Sequence, residues 1–327
     1  MHYDVFNGDA DGIISLIQLR LSEPKDSQLI TGVKRDIQLL ENLNVEASDS
    51  VTVLDISMEK NSAALRHILE KGNPVFYADH HRSGAIPKHK NLQALIDLDA
   101  NTCTALIIDN YLEGQYHAWA ICAAYGDNMI ATAEQLANTT GYNEVQKKQL
   151  KELGTLINYN GYGSNLSDLH FHPATLYQLL SKYESPFDVI DDAQSPFKQL
   201  QMAYQADFAL ALAIPYQYRS EYLSVFELPD AAWSRRISGV YGNFLANQNP
   251  NSAFAVLTCD TKKQDLVEQT KNYLVSLRAP LNNKQGAGDI CSQFETGGGR
   301  AAAAGINCLP DTKLSDFINL VEEKYAS

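Results

Sequence analysis

VTVLDISMEKNSAALRHILEKGNPVFYADHH, residues 51–81, decides the fold class. An apolar, β-branched run ends at Asp55, a helix-like segment NSAALRHILEKG follows, and a second apolar run, VFYA, ends at Asp79. Strand, helix and strand in that order make a parallel unit. Upstream, HYDVF (residues 2–6) and DGIISLIQLRL (residues 11–21) add another strand and helix, so the first half reads βαβαβ. Each strand-like run gives way to acidic residues. Open α/β sheets bind ligands at the carboxyl ends of their strands, so these carboxylates mark the place to look for chemistry.

The chain has 327 residues, more than one hydrophobic core usually supports, and two domains are expected. After Asp127 come helical segments, the polar stretch NYNGYGSNLSDLHFHP and a linker-like region in which SPF occurs at Ser185 and Ser195. From about Arg235 the pattern restarts: a helix around ISGVYGNFLA, strands in AFAVLTC and YLVSLRAP, a Gly-rich turn at GGGR and a closing helix through LSDFINLVEEKY. The expected domains are residues 1–185, which carry the acidic motifs, a linker at 186–230 and a smaller α/β domain at 231–327.

Lys and Arg number 26 against 39 Asp and Glu, a formal charge of -13. That opposes wrapping a long nucleic acid, which needs many cationic contacts to phosphate. No apolar run approaches the roughly 20 residues of a membrane-spanning helix, and the opening MHYDVF reads as a strand rather than a leader, so a cytoplasmic protein without membrane contact is expected. The five cysteines lack a CxxC pair and read as reduced thiols.

Asn7-Gly8-Asp9-Ala10-Asp11-Gly12 places alternating carboxylates on a tight turn, where both can face one cation. An EF-hand would need Glu twelve positions into the loop, and Gln18 stands there. A plain acidic helix cap would be the better reading of this cluster alone. Asp55, Asp79-His80-His81 and Asp127 change the balance, because several Asp with one or two His suit a pair of hard divalent ions, manganese or magnesium, better than a structural zinc. Two ions close together require a shared carboxylate, and Asp55 is the candidate.

These residues resemble the DHH phosphoesterases. The four motifs fall in that family's order, as Asp9-Ala10-Asp11, Leu54-Asp55, Asp79-His80-His81 and Gly126-Asp127. Ser276-Leu277-Arg278 and Gly297-Gly298-Gly299-Arg300, followed by Ala301 to Gly305, look like the DHH-associated domain that follows the catalytic one. The resemblance implies a metal-dependent phosphodiesterase in which Asp9, Asp11, Asp55, His80 and Asp127 hold two divalent ions, usually manganese, with magnesium or cobalt as alternatives. It also makes a homodimer plausible. His81, with Arg82 nearby in sequence, would stabilise the scissile phosphate or departing alkoxide. Two departures stand out, one around the first motif and one at the glycine motif. Val5 occupies a position where many short-RNA hydrolases of the family carry His, and Asn7 one where exonuclease relatives carry Asp. Asn7 is a neutral donor that would ligate weakly, orient a water or touch substrate. The glycine motif ends in Arg300 where His is commoner, adding a planar donor fork suited to phosphate or a guanine edge.

In a two-metal site the ions acidify water and neutralise charge growing on the phosphoryl oxygens. Arg278 and the backbone amides of Gly297, Gly298 and Gly299, before a short Ala-rich helix, are the expected anion nest. Short substrates follow from the charge and the modest length: linear dinucleotides such as pGpG or pApG, or other very short RNAs, cleaved to mononucleotides. Cyclic dinucleotides and polyphosphate are the same-fold alternatives. A nucleotide-binding sensor with a dead site would have lost a metal Asp, and all four Asp-bearing motifs are intact. A haloacid-dehalogenase-like reading leaves Asp79-His80-His81 without a role. The aromatic stretch Tyr159, Tyr162, His170, Phe171 and His172 mildly favours bases, although a packed loop explains it better.

Overall fold

The computed structural model describes residues 1–41, 43–265 and 270–326. The chain divides into two compact units, Met1–Met202 and Ala203–Ser327. The first begins β1 (His2–Phe6), α1 (Ala10–Ser22), β2 (Gln28–Thr31), β3 (Ser50–Leu54), α2 (Ser62–Glu70), β4 (Val75–Asp79) and β5 (Leu92–Ile96). Helices α3 (Thr104–Tyr111), α4 (His117–Gly126), α5 (Ile130–Thr140), α6 (Glu144–Gly161), α7 (Pro173–Leu180), α8 (Pro186–Asp191) and α9 (Phe197–Leu212) follow, and the boundary between units falls within α9.

The five strands form one parallel sheet in the order β2-β1-β3-β4-β5. Leu65, Ile68 and Leu69 of α2, a helical stripe, pack on Val5, Val51, Val53 and Tyr77 of the sheet. Each side chain so buried contributes about 1.5–3 kcal/mol. α1 contacts α3, α4, α6 and α7, and it is buried from Ala10 to Arg20, which is why its sequence is apolar nearly all round. β1 leads outward through α1 to β2, and the chain then returns to β3 on the other side. That reversal makes a switch point between β1 and β3, and the crevice outside their carboxyl ends is where such sheets hold ligands.

The amino ends of the strands are tied by a buried polar network. Arg20 Nε donates to Asp4 Oδ2 at 3.0 Å, Ser27 Oγ donates to the same oxygen at 2.6 Å, and Arg20 NH2 donates to Thr52 Oγ1 at 3.1 Å. His2 Nε2 lies 3.1 Å from Asp4 Oδ1. Burial pushes the Asp4 carboxyl up, but hydrogen bonds from His2 and Arg20, the Arg20 charge and the Ser27 hydroxyl hold it at about 2.

The second unit holds β6 (Tyr216–Arg219), β7 (Leu223–Leu228), α10 (Ala232–Gln248), β8 (Ala253–Asp265), β9 (Thr270–Arg278), α11 (Ala287–Cys291), β10 (Gly297–Gly299), β11 (Ala303–Pro310) and α12 (Leu314–Tyr325). Its sheet runs β10-β11-β9-β8-β7-β6, with only β7 and β8 parallel among the described pairs. Phe317 and Val321 of α12 close a core with Val225, Ala255, Val275 and Ile306.

Two local readings differ from the structure. The stretch 186–230, expected as a linker, contains α8, α9, β6 and β7. The SPF triplets are helix starts: Ser185 accepts the amide of Phe187, with Pro186 opening α8, and Ser195 Oγ accepts the amide of Phe197. The expected turn and Ala-rich helix at Gly297 to Gly305 are instead an edge strand and the start of its neighbour, with Gly298 opposite Gly305. Backbone approach explains the glycines, since a Cβ on Gly297 would stand 1.8 Å from the Cys291 carbonyl oxygen and one on Gly299 2.5 Å from Ala304 Cα. No helix among the described residues is long and apolar enough to cross a membrane.

The Asp4 carboxyl is depressed from 3.8, so its contribution to stability is complete above that pH and is lost as pH falls through about 2. We expect urea unfolding to show roughly 2 kcal/mol of wild-type stability disappearing across that window, a slope absent from Asp4→Asn.

Candidate metal centre

The turn after β1 brings Asp9 to the start of α1, where its Oδ1 accepts the amides of Asp11 and Gly12, both at 3.1 Å. Asp11 does the same for another helix: its two oxygens accept the amides of Thr104 and Ala105 at 2.8 Å each, fixing the carboxylate at the start of α3. Asp55 follows β3 with φ 59, a left-handed conformation that costs a residue other than glycine free energy and turns its side chain across the strand ends. Thr104 Oγ1 donates to Asp55 Oδ1 at 3.1 Å.

His80 supplies the most informative geometry. Its Nδ1 lies 2.9 Å from the carbonyl oxygen of Thr102. A carbonyl only accepts, so Nδ1 carries the proton, and in the neutral ring Nε2 presents a lone pair. That Nε2 faces Asp55 Oδ1 at 3.4 Å and Asp11 Oδ2 at 3.6 Å. Three electron-donating atoms directed at one another are consistent with a cation between them. His81 stands beside it, the two rings edge to face at 4.5 Å, with Nδ1 2.7 Å from Asp79 Oδ1 and 3.7 Å from Asp55 Oδ1. Asp55, His80 and His81 can each offer a ligand atom within 4.8 Å of the others. Asp79 Oδ2 is a buried oxygen without a hydrogen-bond partner. Burial first, then the charges of Asp11 and Asp9, push the Asp55 carboxyl well up, with His81 opposing and Asp79 adding to the rise. This donor set fits a divalent ion, with Asp11, Asp55 and His80 as its candidate ligands and His81 beside them.

Asp9 and Asp127 belong to a second group, formed around a residue the sequence reading did not single out. Lys34 Nζ hydrogen-bonds Asp9 Oδ2, lies 3.6 Å from Asp127 Oδ1 and donates to Asn158 Oδ1 at 3.3 Å. Burial and the Asp127 charge would raise the Asp9 carboxyl, while the Lys34 ammonium pulls it down. Lys34 in turn is pushed further up by Asp9, Tyr162 and Asp127 against the opposing effect of burial. Asp127 is placed by the end of α4, where Gly126 meets α6: a Cβ on Gly126 would stand 2.7 Å from the Gly154 carbonyl oxygen. The signal that marks Lys34 is positional, since it follows the carboxyl end of β2, next to β1.

The remaining expected residues fall elsewhere. Asn7 is 4% exposed, and its carboxamide serves the backbone: Nδ2 donates to the Lys34 carbonyl at 3.2 Å and Oδ1 accepts the Asp9 amide at 3.2 Å. The structure therefore gives it a loop-bracing role rather than a substrate-facing one. Val5 is buried in the sheet core. Arg82 has an exposed side chain, and its carbonyl accepts from Ser57 Oγ at 2.9 Å. In the second unit Arg278 is 8% exposed; its guanidinium reaches Asn243 Oδ1 and donates to the carbonyls of Leu277 and Gly239 at 3.1 and 3.0 Å. Much of its donor fork is thereby committed to bracing β9 against α10. The Arg300 amide donates to the Ala303 carbonyl at 2.9 Å in a tight turn, so the nest expected at a helix start is absent as such. The aromatic stretch is packed: the Tyr159 hydroxyl meets His170 Nε2 at 2.9 Å, and Asn160 bonds both backbone polar groups of Phe171.

His80→Ala is expected to weaken manganese binding by at least 10–100-fold in equilibrium dialysis, on the order of the loss seen even when a supporting residue is removed. Arg82→Ala should leave that affinity unchanged.

No protein-family model matches the chain, and no curated protein matches it in sequence. Solved structures do. RecJ in complex with Mn2+ from Thermus thermophilus is similar at TM-score 0.57 and 16% identity, covering 99% of this chain and 52% of that one, so this chain spans about half its length. Exonuclease RecJ bound to manganese gives 0.53 at 16% identity, covering 99% and 90% of the two chains. The pGpG-specific phosphodiesterase PggH from Vibrio cholerae gives 0.56 at 14% identity over 99% of both. At such identities the likeness establishes the architecture alone: the chain shares the fold of these RecJ and PggH structures, a parallel-sheet unit followed by a smaller α/β unit.

Proposed function

We propose that the chain is a metal-dependent phosphodiesterase that cleaves short linear dinucleotides such as pGpG or pApG to mononucleotides. The observation that carries this reading is the His80 geometry, an imidazole whose Nδ1 is committed to the Thr102 carbonyl and whose Nε2 is directed at Asp55 and Asp11. A divalent ion held there would neutralise a phosphoryl oxygen and acidify a water molecule.

The chain's own residues supply the rest. Thr104, through its amide on Asp11 and its hydroxyl on Asp55, holds the two carboxylates in register. Asp79 accepts from His81 Nδ1, which fixes the ring and leaves Nε2 as its other polar atom. With its side chain 33% exposed, His81 can reach a substrate oxygen. Its role is to steady the phosphate and to pass a proton to the departing ribose oxygen. Arg300, in the second unit, is proposed for a terminal phosphate or a guanine edge, since its guanidinium offers a planar donor pair.

Two observations favour a short nucleotide over a long strand. The net charge of -13 disfavours a basic channel for a polyanion. The similarity to the pGpG-specific phosphodiesterase PggH runs over 99% of both chains, against 90% of one RecJ chain and 52% of the other. The cluster also retains every acidic residue expected of an active site, which argues against a sensor with a dead centre.

The test is a panel of pGpG, pApG, longer RNA, cyclic dinucleotides and polyphosphate incubated with the protein and manganese. Linear dinucleotides should be consumed fastest, Asp55→Ala should abolish turnover, and His81→Ala should lower it by roughly 10²–10⁴-fold. Consumption of polyphosphate alone would end the nucleotide reading, and an unchanged base preference in Arg300→Ala would end the assignment of that residue to guanine.

A further inference from the structure

The carboxylates of the centre are divided between two kinds of positive charge. We propose that Lys34 is a built-in cation occupying the Asp9–Asp127 half of the centre, so that the chain takes one divalent ion, in the Asp11–Asp55–His80–His81 half, rather than two. This deepens the metal-dependent reading above and rests on it.

The oxygens of Asp9 are already engaged. Oδ1 accepts two backbone amides at the start of α1, and Oδ2 accepts the Lys34 ammonium. A second divalent ion on Asp9 Oδ2 would stand against the Lys34 ammonium, a like charge at contact distance. An ammonium has three N–H donors, and Lys34 has three oxygen partners around it: Asp9 Oδ2, Asn158 Oδ1 at 3.3 Å and Asp127 Oδ1 at 3.6 Å. The Tyr162 ring adds a face at 5.5 Å from Nζ.

The position is built rather than incidental. The Lys34 amide donates to the Gly161 carbonyl at 2.8 Å, and its carbonyl accepts Asn7 Nδ2 at 3.2 Å, so the backbone is pinned on both sides. Gly161 permits the approach, since a Cβ there would stand 2.9 Å from Asp9 Cα. The loop after β2, the start of α1 and the end of α6 therefore converge on one ammonium. The other half has a different composition. It has the two imidazoles, and its His80 nitrogen faces oxygens of Asp55 and Asp11. One half is furnished with a cation by the chain, and the other is furnished with ligands for one.

The consequence for the chemistry is a fixed charge that does not dissociate when metal is scarce. Dependence on manganese should then follow single-ion binding.

The experiment measures manganese bound per chain by equilibrium dialysis with metal analysis, together with the electron paramagnetic resonance spectrum of the loaded protein. Wild type is expected to hold about one tight ion per chain with the spectrum of an isolated ion. Lys34→Met, which keeps the length of the side chain and removes its charge, should admit a second ion and show spin coupling between the pair. Lys34→Gln serves as the second variant should the first fail to fold. Two tight, coupled ions in wild type would overturn the inference whatever the variants do, while leaving the metal-dependent reading intact. One ion in wild type and still one in a folded Lys34 variant would also overturn it. Absence of bound manganese in wild type would overturn both.

Discussion

Like charges gathered away from water are the constraint on which this structure depends. Asp9, Asp11, Asp55 and Asp79 are all at most 2% exposed near the carboxyl ends of β1, β3 and β4, and Asp127 joins them from the end of α4. Two unit charges about 4 Å apart repel by about 4 kcal/mol at an effective dielectric near 20, so such a group persists only with compensating donors and cations. The fold supplies the donors first. Helix starts at α1 and α3 are aimed at Asp9 and Asp11, and a threonine hydroxyl at Asp55. Lys34 supplies an ammonium to Asp9, while burial, with the charges of Asp11 and Asp9, pushes the Asp55 carboxyl up, the direction expected of a cluster short of positive charge.

That lack is what ties architecture to chemistry. The switch point between β1 and β3 puts the Asp9–Asp11 turn beside Asp55, and β4 adds the two histidines. A histidine oriented by a backbone carbonyl and another oriented by a carboxylate have fixed roles before any ligand arrives. The left-handed conformation at Asp55 fits this picture, since strain is retained where the surrounding structure has a use for it.

Much of this was legible in the residues alone. Carboxylates and histidines at the ends of β-branched runs are chemically conspicuous, and spacing assigns them to one sheet edge. Lys34 escaped because β2 has only four residues, QLIT, with no alternating pattern, so the strand whose end it marks was not read. Asn7 misled because a side chain two residues from a metal-type Asp resembles a ligand, and only the fold shows both ends of its carboxamide bonded to backbone. The glycine strand β10 was read as a turn because strand propensity disfavours glycine, while contact with Cys291 and Ala304 requires it. Arg278 looked available at a strand end. Its burial against α10 depends on packing between distant segments, which no local pattern encodes.

The most direct measurement is an anomalous-scattering map at the manganese edge from crystals grown with that ion. The account requires a peak among Asp11, Asp55, His80 and His81, with His80 Nε2 as a ligand. Density elsewhere, or a cluster that stays without a peak at saturating manganese, would contradict it.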